Sequence, residues 1–334
     1  MEIGLMSLGD HLPNPNTGEQ ESQGERIRSI VETSVYAEEL GFEVLAIGEH
    51  HFNDYIIPSP FPVLSAVAAR TSRIRLTTGV TLLPMLDAVR VAEDFATLDQ
   101  ISNGRAEMVL GRGISADGYA EFGVEQDKSR DMLVEKLELV RRLFTEESVV
   151  WSGASRPDLN GITLKPFPAQ RTPSIWMGTG MSEESVRWTA AMGMPLMLPS
   201  IFKRAEEWKD MIALYRELMV ENGYEEQSFV GACSHIHVAP TSQQARDEKR
   251  PYLTSYADWA NQLRGVDVKV DFDRLINGPA LVGSPAEVVD RLESIKEALQ
   301  PDRHLAVFDI GGMPESEVRA TMDLYAAEVM TKVR

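Results

Sequence analysis

Short apolar runs alternate with amphipathic helical stretches along the whole chain, and eight of the runs have the length and composition of buried strands. They are Ile3 to Leu8, Val44 to Gly48, Ile74 to Thr81, Ala106 to Leu110, Ser174 to Gly178, Pro195 to Leu198, Phe229 to Val238 and His304 to Phe308. An unbroken apolar run implies burial on both strand faces. In a repeated strand–helix unit, that points to a parallel sheet covered by helices. Eight such units in 334 residues fit the α/β class and a (β/α)8 TIM barrel, which needs about 250 residues and tolerates insertions. Helix punctuation supports the same reading. The stripe Ile27, Ile30, Val31 and Val35 is stopped by Gly41, a residue suited to a left-handed cap, and a second helix begins near Asp87 and ends at Ser102-Asn103-Gly104.

Three segments depart from the alternation. Asp10 to Gly24 reads as a loop after the first strand, and Trp151 to Thr172 as a small hairpin inserted before strand five. Arg264 to Gly278 lies between two helices and is a candidate lid. With no repeat, low-complexity tract or strong linker, residues 1–334 are expected to form one domain. The sequence Ser284-Pro285-Ala286-Glu287 has the pattern of a capping box with proline in the first turn.

A composition of 43% apolar and 25% charged residues is that of a globular protein. The net charge of −18, from 51 acidic and 33 basic residues, disfavours nucleic acid and anionic membrane surfaces as partners. Met1 to Met6 has no basic leader followed by an apolar core, and no segment approaches about 18 uninterrupted apolar residues. A cytoplasmic protein is therefore expected. The one cysteine, Cys233, excludes an internal disulfide framework and reads as a buried inert thiol.

Polar residues gather where strands end, the face on which α/β barrels collect their active sites. Gly48-Glu49-His50-His51-Phe52 follows the second strand. Adjacent strand residues point to opposite faces, so the two histidines are poorly placed to chelate one ion, and no metal is expected. Gly79 in Thr77-Thr78-Gly79-Val80 permits close approach of a flat ligand or an unusual peptide geometry. Gly111-Arg112-Gly113 places a guanidinium in a bendable backbone, and Gly178-Thr179-Gly180-Met181-Ser182 through Ser185 leads into a helix N-terminus. Together Arg112 and the Ser182 turn describe an anion site suited to the phosphate of a mononucleotide cofactor. Met85, Phe61 and Tyr55 are candidates for an apolar pocket wall.

These motifs, with Val89-Arg90-Val91-Ala92-Glu93-Asp94 and Leu98-Asp99-Gln100-Ile101-Ser102-Asn103-Gly104-Arg105, resemble the bacterial luciferase-like family of flavin-dependent monooxygenases over nearly the full length. The resemblance implies a barrel, usually dimeric, that binds reduced FMN supplied by a separate flavin reductase. O2 would react at flavin C4a, and the resulting (hydro)peroxide would oxygenate a small organic substrate. His50 matches the family's catalytic histidine, leaving His51 a structural role, and Glu49 is a candidate to fix the His50 tautomer. Gly79-Val80 matches the family's non-prolyl cis peptide under the flavin ring. Gly111 and Arg112 match the turn carrying the phosphate-gripping arginine, and Gly180, Met181, Ser182 and Ser185 match the phosphate turn. Met197 would lie at the dimethylbenzene end. Gly111 stands where luciferase has a reactive cysteine, and the segment 264–278 is shorter than luciferase's mobile loop. Light emission and long-chain aldehyde specificity are therefore not carried over. The alternatives are hydride transfer with the deazaflavin F420 and flavin binding without catalysis. The Glu-His-His form of the motif is closer to the FMN branch.

Overall fold

A computed structural model describes residues 1–113, 116–179, 182–265 and 270–334 of the chain. Eight parallel strands close into a ring. They are β1 (Glu2–Ser7), β2 (Val44–Ile47), β3 (Arg75–Thr78), β4 (Ala106–Gly111), β5 (Ser174–Gly178), β6 (Leu196–Met197), β7 (Val230–Val238) and β8 (Arg303–Val307). Each pairs with the next, and β8 pairs back onto β1 with Ile3 opposite His304. After Gly79 and Val80, β3 resumes as Thr81–Leu82, still paired to β4. The fold is therefore a TIM barrel, with strands at all eight expected positions. A short strand, Leu281–Gly283, adds to the outer end of β7 and has no counterpart among the expected strands.

The period of two along β2 explains why its sequence is apolar throughout. Val44 and Ala46 point into the barrel beside Val109, Trp176, Met197, Cys233 and Leu305. Leu45 and Ile47 point outward into the larger core shared with the helices. Both faces are buried, and a polar residue on either would lose hydration without gaining a partner.

Helix ends follow the expected chemistry. Helix α1 (Gln23–Leu40) ends on Gly41 at φ 89°, and α2 (Pro60–Ala68) follows β2. Helix α3 (Ala88–Ser102) starts on the Asp87 side chain, which accepts from Val89 and Arg90 N–H, and ends on Asn103 at φ 58°. The inserted hairpin is Val149–Trp151 paired antiparallel with Leu159–Ile162. At Ser284 the serine hydroxyl accepts from Glu287 N–H. The Glu287 carboxylate, however, is paired with Arg246 rather than completing the capping box.

The N-terminal end of the barrel is closed by ionic pairing. Arg303, 1% exposed, bonds Glu107 at 2.6 Å and Glu2 at 3.0 Å and lies over the Trp176 ring at 4.5 Å. Burial would lower the Arg303 pKa, but the neighbouring carboxylates, Glu107 foremost, outweigh it and hold the guanidinium above its ordinary value. Replacing Arg303 by methionine is expected to cost about 2 kcal/mol, because buried Glu107 loses two charge-assisted hydrogen bonds and keeps only Arg75 at 3.1 Å. A urea midpoint unchanged by R303M would show that the pairing contributes nothing. No helix among the described residues is long and apolar enough to cross a membrane.

Candidate active site

The C-terminal ends of the strands enclose a cavity of about 490 Å3, within the range of small-molecule sites. Its floor is apolar, with Met6, Val109, Cys233 and Leu305 contributed from inside the barrel. Cys233 is buried as expected, 5% exposed, but borders this cavity; burial pushes its thiol pKa up.

One wall is built by closely packed glycines. The Gly79–Val80 peptide bond is cis, as the resemblance implied. A Cβ on Gly111 would lie 2.5 Å from Val80 Cγ2, and one on Gly178 would lie 2.8 Å from Val80 Cγ1. Both positions must lack a side chain for Val80 to stand where it does. Met197 borders the cavity on another side and packs over Gly231, where a Cβ would meet its Cε at 2.4 Å.

Arg112, just after β4, borders the cavity with Thr179. Its backbone carbonyl accepts from the Tyr119 hydroxyl, which fixes the turn. Among the described residues, its guanidinium forms no ion pair, and its one hydrogen bond is a long 3.5 Å contact to Ser129 Oγ. Ser182 caps helix Glu183–Ala191, accepting from Ser185 N–H. The Thr179 and Ser185 hydroxyls lie 3.0 Å apart, and Ser182 Oγ is 3.0 Å from Ser185 Oγ. Ser182 and Ser185 do not border the cavity themselves; Thr179, part of the motif but given no role of its own there, links them to it. Gly180 and Met181 lie outside the described residues. The Glu184 carboxyl on the same helix is held below its ordinary range, chiefly by Arg130 and in smaller part by the Arg112 charge. The helix start and Arg112 are thus electrostatic neighbours.

Both histidines border the cavity, contrary to the strand-alternation expectation. β2 ends at Ile47, so alternation no longer governs residues 49–52, and Phe52 bends the chain at φ 60°. The His50 ring stacks on Tyr55 at 3.8 Å and 19°, and its Nδ1 is buried without a hydrogen-bond partner. Burial first, and the His51 charge second, push the His50 pKa down to about 4, so the ring is neutral at pH 7. Glu49 does not reach His50. Its Oε1 lies 3.0 Å from His51 Nε2, and its Oε2 accepts from Leu82 N–H at 3.3 Å. Burial raises the Glu49 carboxyl pKa, with the His51 bond acting in the opposite direction. A neutral His51 that donates from Nε2 to Glu49 keeps its lone pair on Nδ1.

Of the three suggested wall residues, Met85 borders the cavity. Tyr55 stands behind His50, and Phe61 is packed in the outer core. Arg264, the first residue of the candidate lid, and Phe202, which was not anticipated, also border the cavity. Of the candidate lid, residues 266–269 lie outside the described residues, and Phe272–Ile276 is a short helix. Among the described residues, no three His, Cys, Asp or Glu side chains are grouped as a metal site would require.

Residues 1–300 match the family model described as luciferase-like monooxygenase. The alkanal monooxygenase alpha chain of the Kryptophanaron alfredi symbiont is 25% identical, covering 93% of this chain and 94% of that one. Limonene 1,2-monooxygenase of Rhodococcus erythropolis is 28% identical, covering 81% and 72%. The structure of monooxygenase RslO1 from Streptomyces bottropensis superposes with TM-score 0.87 at 30% identity, covering 99% of each chain. The oxygenating constituent of 3,6-diketocamphane monooxygenase from Pseudomonas putida, solved with FMN, has the same fold, with TM-score 0.82, 21% identity and coverage of 100% and 99%.

Proposed function

The chain belongs to the luciferase-like monooxygenase family, oxygen-incorporating oxidoreductases acting on small molecules, and on that premise we propose that it binds reduced FMN and oxygenates an organic substrate. In this reading a separate flavin reductase supplies the cofactor, and the active unit is a homodimer. One observation carries the proposal. A single cavity is bordered by Arg112, which has no ion pair among the described residues, by Thr179, whose hydroxyl leads on to Ser185, by a glycine-cradled apolar wall, and by two imidazoles. Arg112, Thr179, Ser182 and Ser185 would hold the phosphate, and Gly180 and Met181 complete that turn in the sequence. Val80, with Gly79, Gly111 and Gly178 around it, would support the ring, and Met197 would border its edge.

When bound, reduced FMN supplies activation of O2 for transfer of one oxygen atom to the substrate. The protein's own residues set the conditions. The apolar floor excludes water, which strengthens every polar contact inside. Neutral His50 offers a fixed proton donor or acceptor at the cavity wall. The Glu49–His51 pair provides a second proton-holding group: the carboxylate orients the ring and leaves Nδ1 as the basic atom.

Flavin titration tests the cofactor. Fluorescence titration should show binding of FMN in preference to F420. R112Q should weaken FMN about ten- to a hundredfold, the effect of losing one charge-assisted contact, while leaving riboflavin affinity unchanged. Equal weakening of both flavins would sink the phosphate assignment, and preference for F420 would replace the oxygenase reading with hydride transfer.

A further inference from the structure

The cavity contains a second guanidinium that the cofactor does not require. Arg264, at the C-terminal end of helix Ser242–Leu263, borders the cavity together with Phe202 and lies over the Phe202 ring at 5.5 Å. Its hydrogen bonds stay within its own last helical turn, to Ala260 O at 2.9 Å and Asn261 Oδ1 at 3.4 Å. Among the described residues it has no carboxylate partner within ion-pair distance, whereas fourteen other arginines do. The Glu49 carboxylate at the cavity wall is already engaged by His51. A chain of net charge −18 thus opens a cavity with two cations, Arg112 and Arg264, that have no carboxylate partner among the described residues. FMN brings one phosphate, and the Arg112 charge acts on Glu184 in the helix that Ser182 caps, which assigns that phosphate to Arg112.

The rest of this side of the cavity is aromatic and apolar. Phe202 is 44% exposed, and Leu198, Pro199 and Ile201 border the cavity with it. The exposed Phe202 ring, continuous with the apolar lining, offers a flat surface for a bound molecule. An arginine beside an aromatic ring recognises carboxylates and other planar anions while tolerating apolar surroundings.

Resting on the FMN-oxygenase reading, we propose that the substrate is an aromatic or similarly extended apolar molecule bearing an anionic group, and that Arg264 is the specificity-determining residue that binds this group.

Matched probe pairs test the proposal on the FMN-loaded protein. 6-Acetyl-2-naphthoic acid and its methyl ester share the same apolar body and differ in charge. Binding is followed by calorimetry, and turnover by oxygen consumption with a reductase. The acid should bind about tenfold more tightly than the ester, the increment of one partly exposed charge-assisted contact. R264Q should erase that preference and R264K retain part of it, with FMN affinity unchanged in both. Equal affinities for acid and ester in the unsubstituted protein would overturn the proposal, as would a preference surviving R264Q or a loss of FMN affinity in that variant. If the unsubstituted protein does not bind FMN, the oxygenase reading fails instead. The acid–ester comparison on the cofactor-free protein then decides the role of Arg264 alone.

Discussion

Acidification from pH 7 to pH 4.5 is expected to destabilise the protein sharply, with four buried histidines as the main cause. Burial depresses the pKa of His50 to about 4, of His235 to about 3, of His237 to about 4 and of His304 to about 4, all from an ordinary 6.5. The Nδ1 atoms of all four are buried without hydrogen-bond partners among the described residues. Between pH 6.5 and 4 the unfolded chain takes up protons that the folded chain refuses. The stability these neutral rings contribute is therefore present above pH 6.5 and lost as pH falls toward 4. Asp10 opposes this. Burial lifts its carboxyl from 3.8 to about 6, so the folded state binds one more proton there as pH falls. Four protons against one leaves a net slope of about 4 kcal/mol per pH unit, a large part of a typical stability of about 5–15 kcal/mol. Urea midpoints at pH 7, 6, 5 and 4.5 measure the slope, and H304Q should reduce it by one proton. A midpoint constant down to pH 4.5 would exclude the account.

Replacing His50 by alanine is expected to lower oxygenation of a substrate about a hundred- to ten-thousandfold, the range for loss of a positioned proton-transfer group. FMN affinity should change little, because the phosphate end of the cavity is untouched. H50Q, which keeps a hydrogen bond but cannot exchange a proton in the same way, should not restore the rate. The pH profile separates His50 from its neighbour. Neutral throughout the working range, His50 should contribute no ionisation near pH 6.5. E49Q removes the carboxylate that orients His51, so an acid limb that shifts in E49Q belongs to that pair. A profile and rate identical to wild type in E49Q would remove the pair from the mechanism, and wild-type turnover in H50A would remove His50.

Legibility varied with the range of the interaction concerned. The caps at Gly41, Asp87 and Asn103 stood in the sequence because each is settled within one helical turn. The short Leu281–Gly283 strand went unread because only pairing with β7 makes those three residues a strand. The anion end was legible from Arg112 and Ser182, since guanidinium and helix-cap chemistry are local. Thr179 was not, because its importance is a 3.0 Å contact to Ser185 formed by the turn. Pairing Glu49 with His50 was a reasonable expectation from adjacency. The chain turns at the strand end, however, and brings Glu49 to His51.

By itself the sequence determined the eight-fold strand–helix repeat, the family resemblance and the glycines around Val80. Burial on both faces of a strand, and helix capping, leave direct marks on residue type. Only the tertiary structure decided which charges at the cavity have no carboxylate partner among the described residues. Arg264 reaches it from the end of a long helix, and Arg303, chemically the same side chain, is neutralised at the opposite end by Glu107 and Glu2. An arginine's role depends on which carboxylates the fold brings within a few ångströms, and that is set by closure of the barrel between residues up to 301 positions apart.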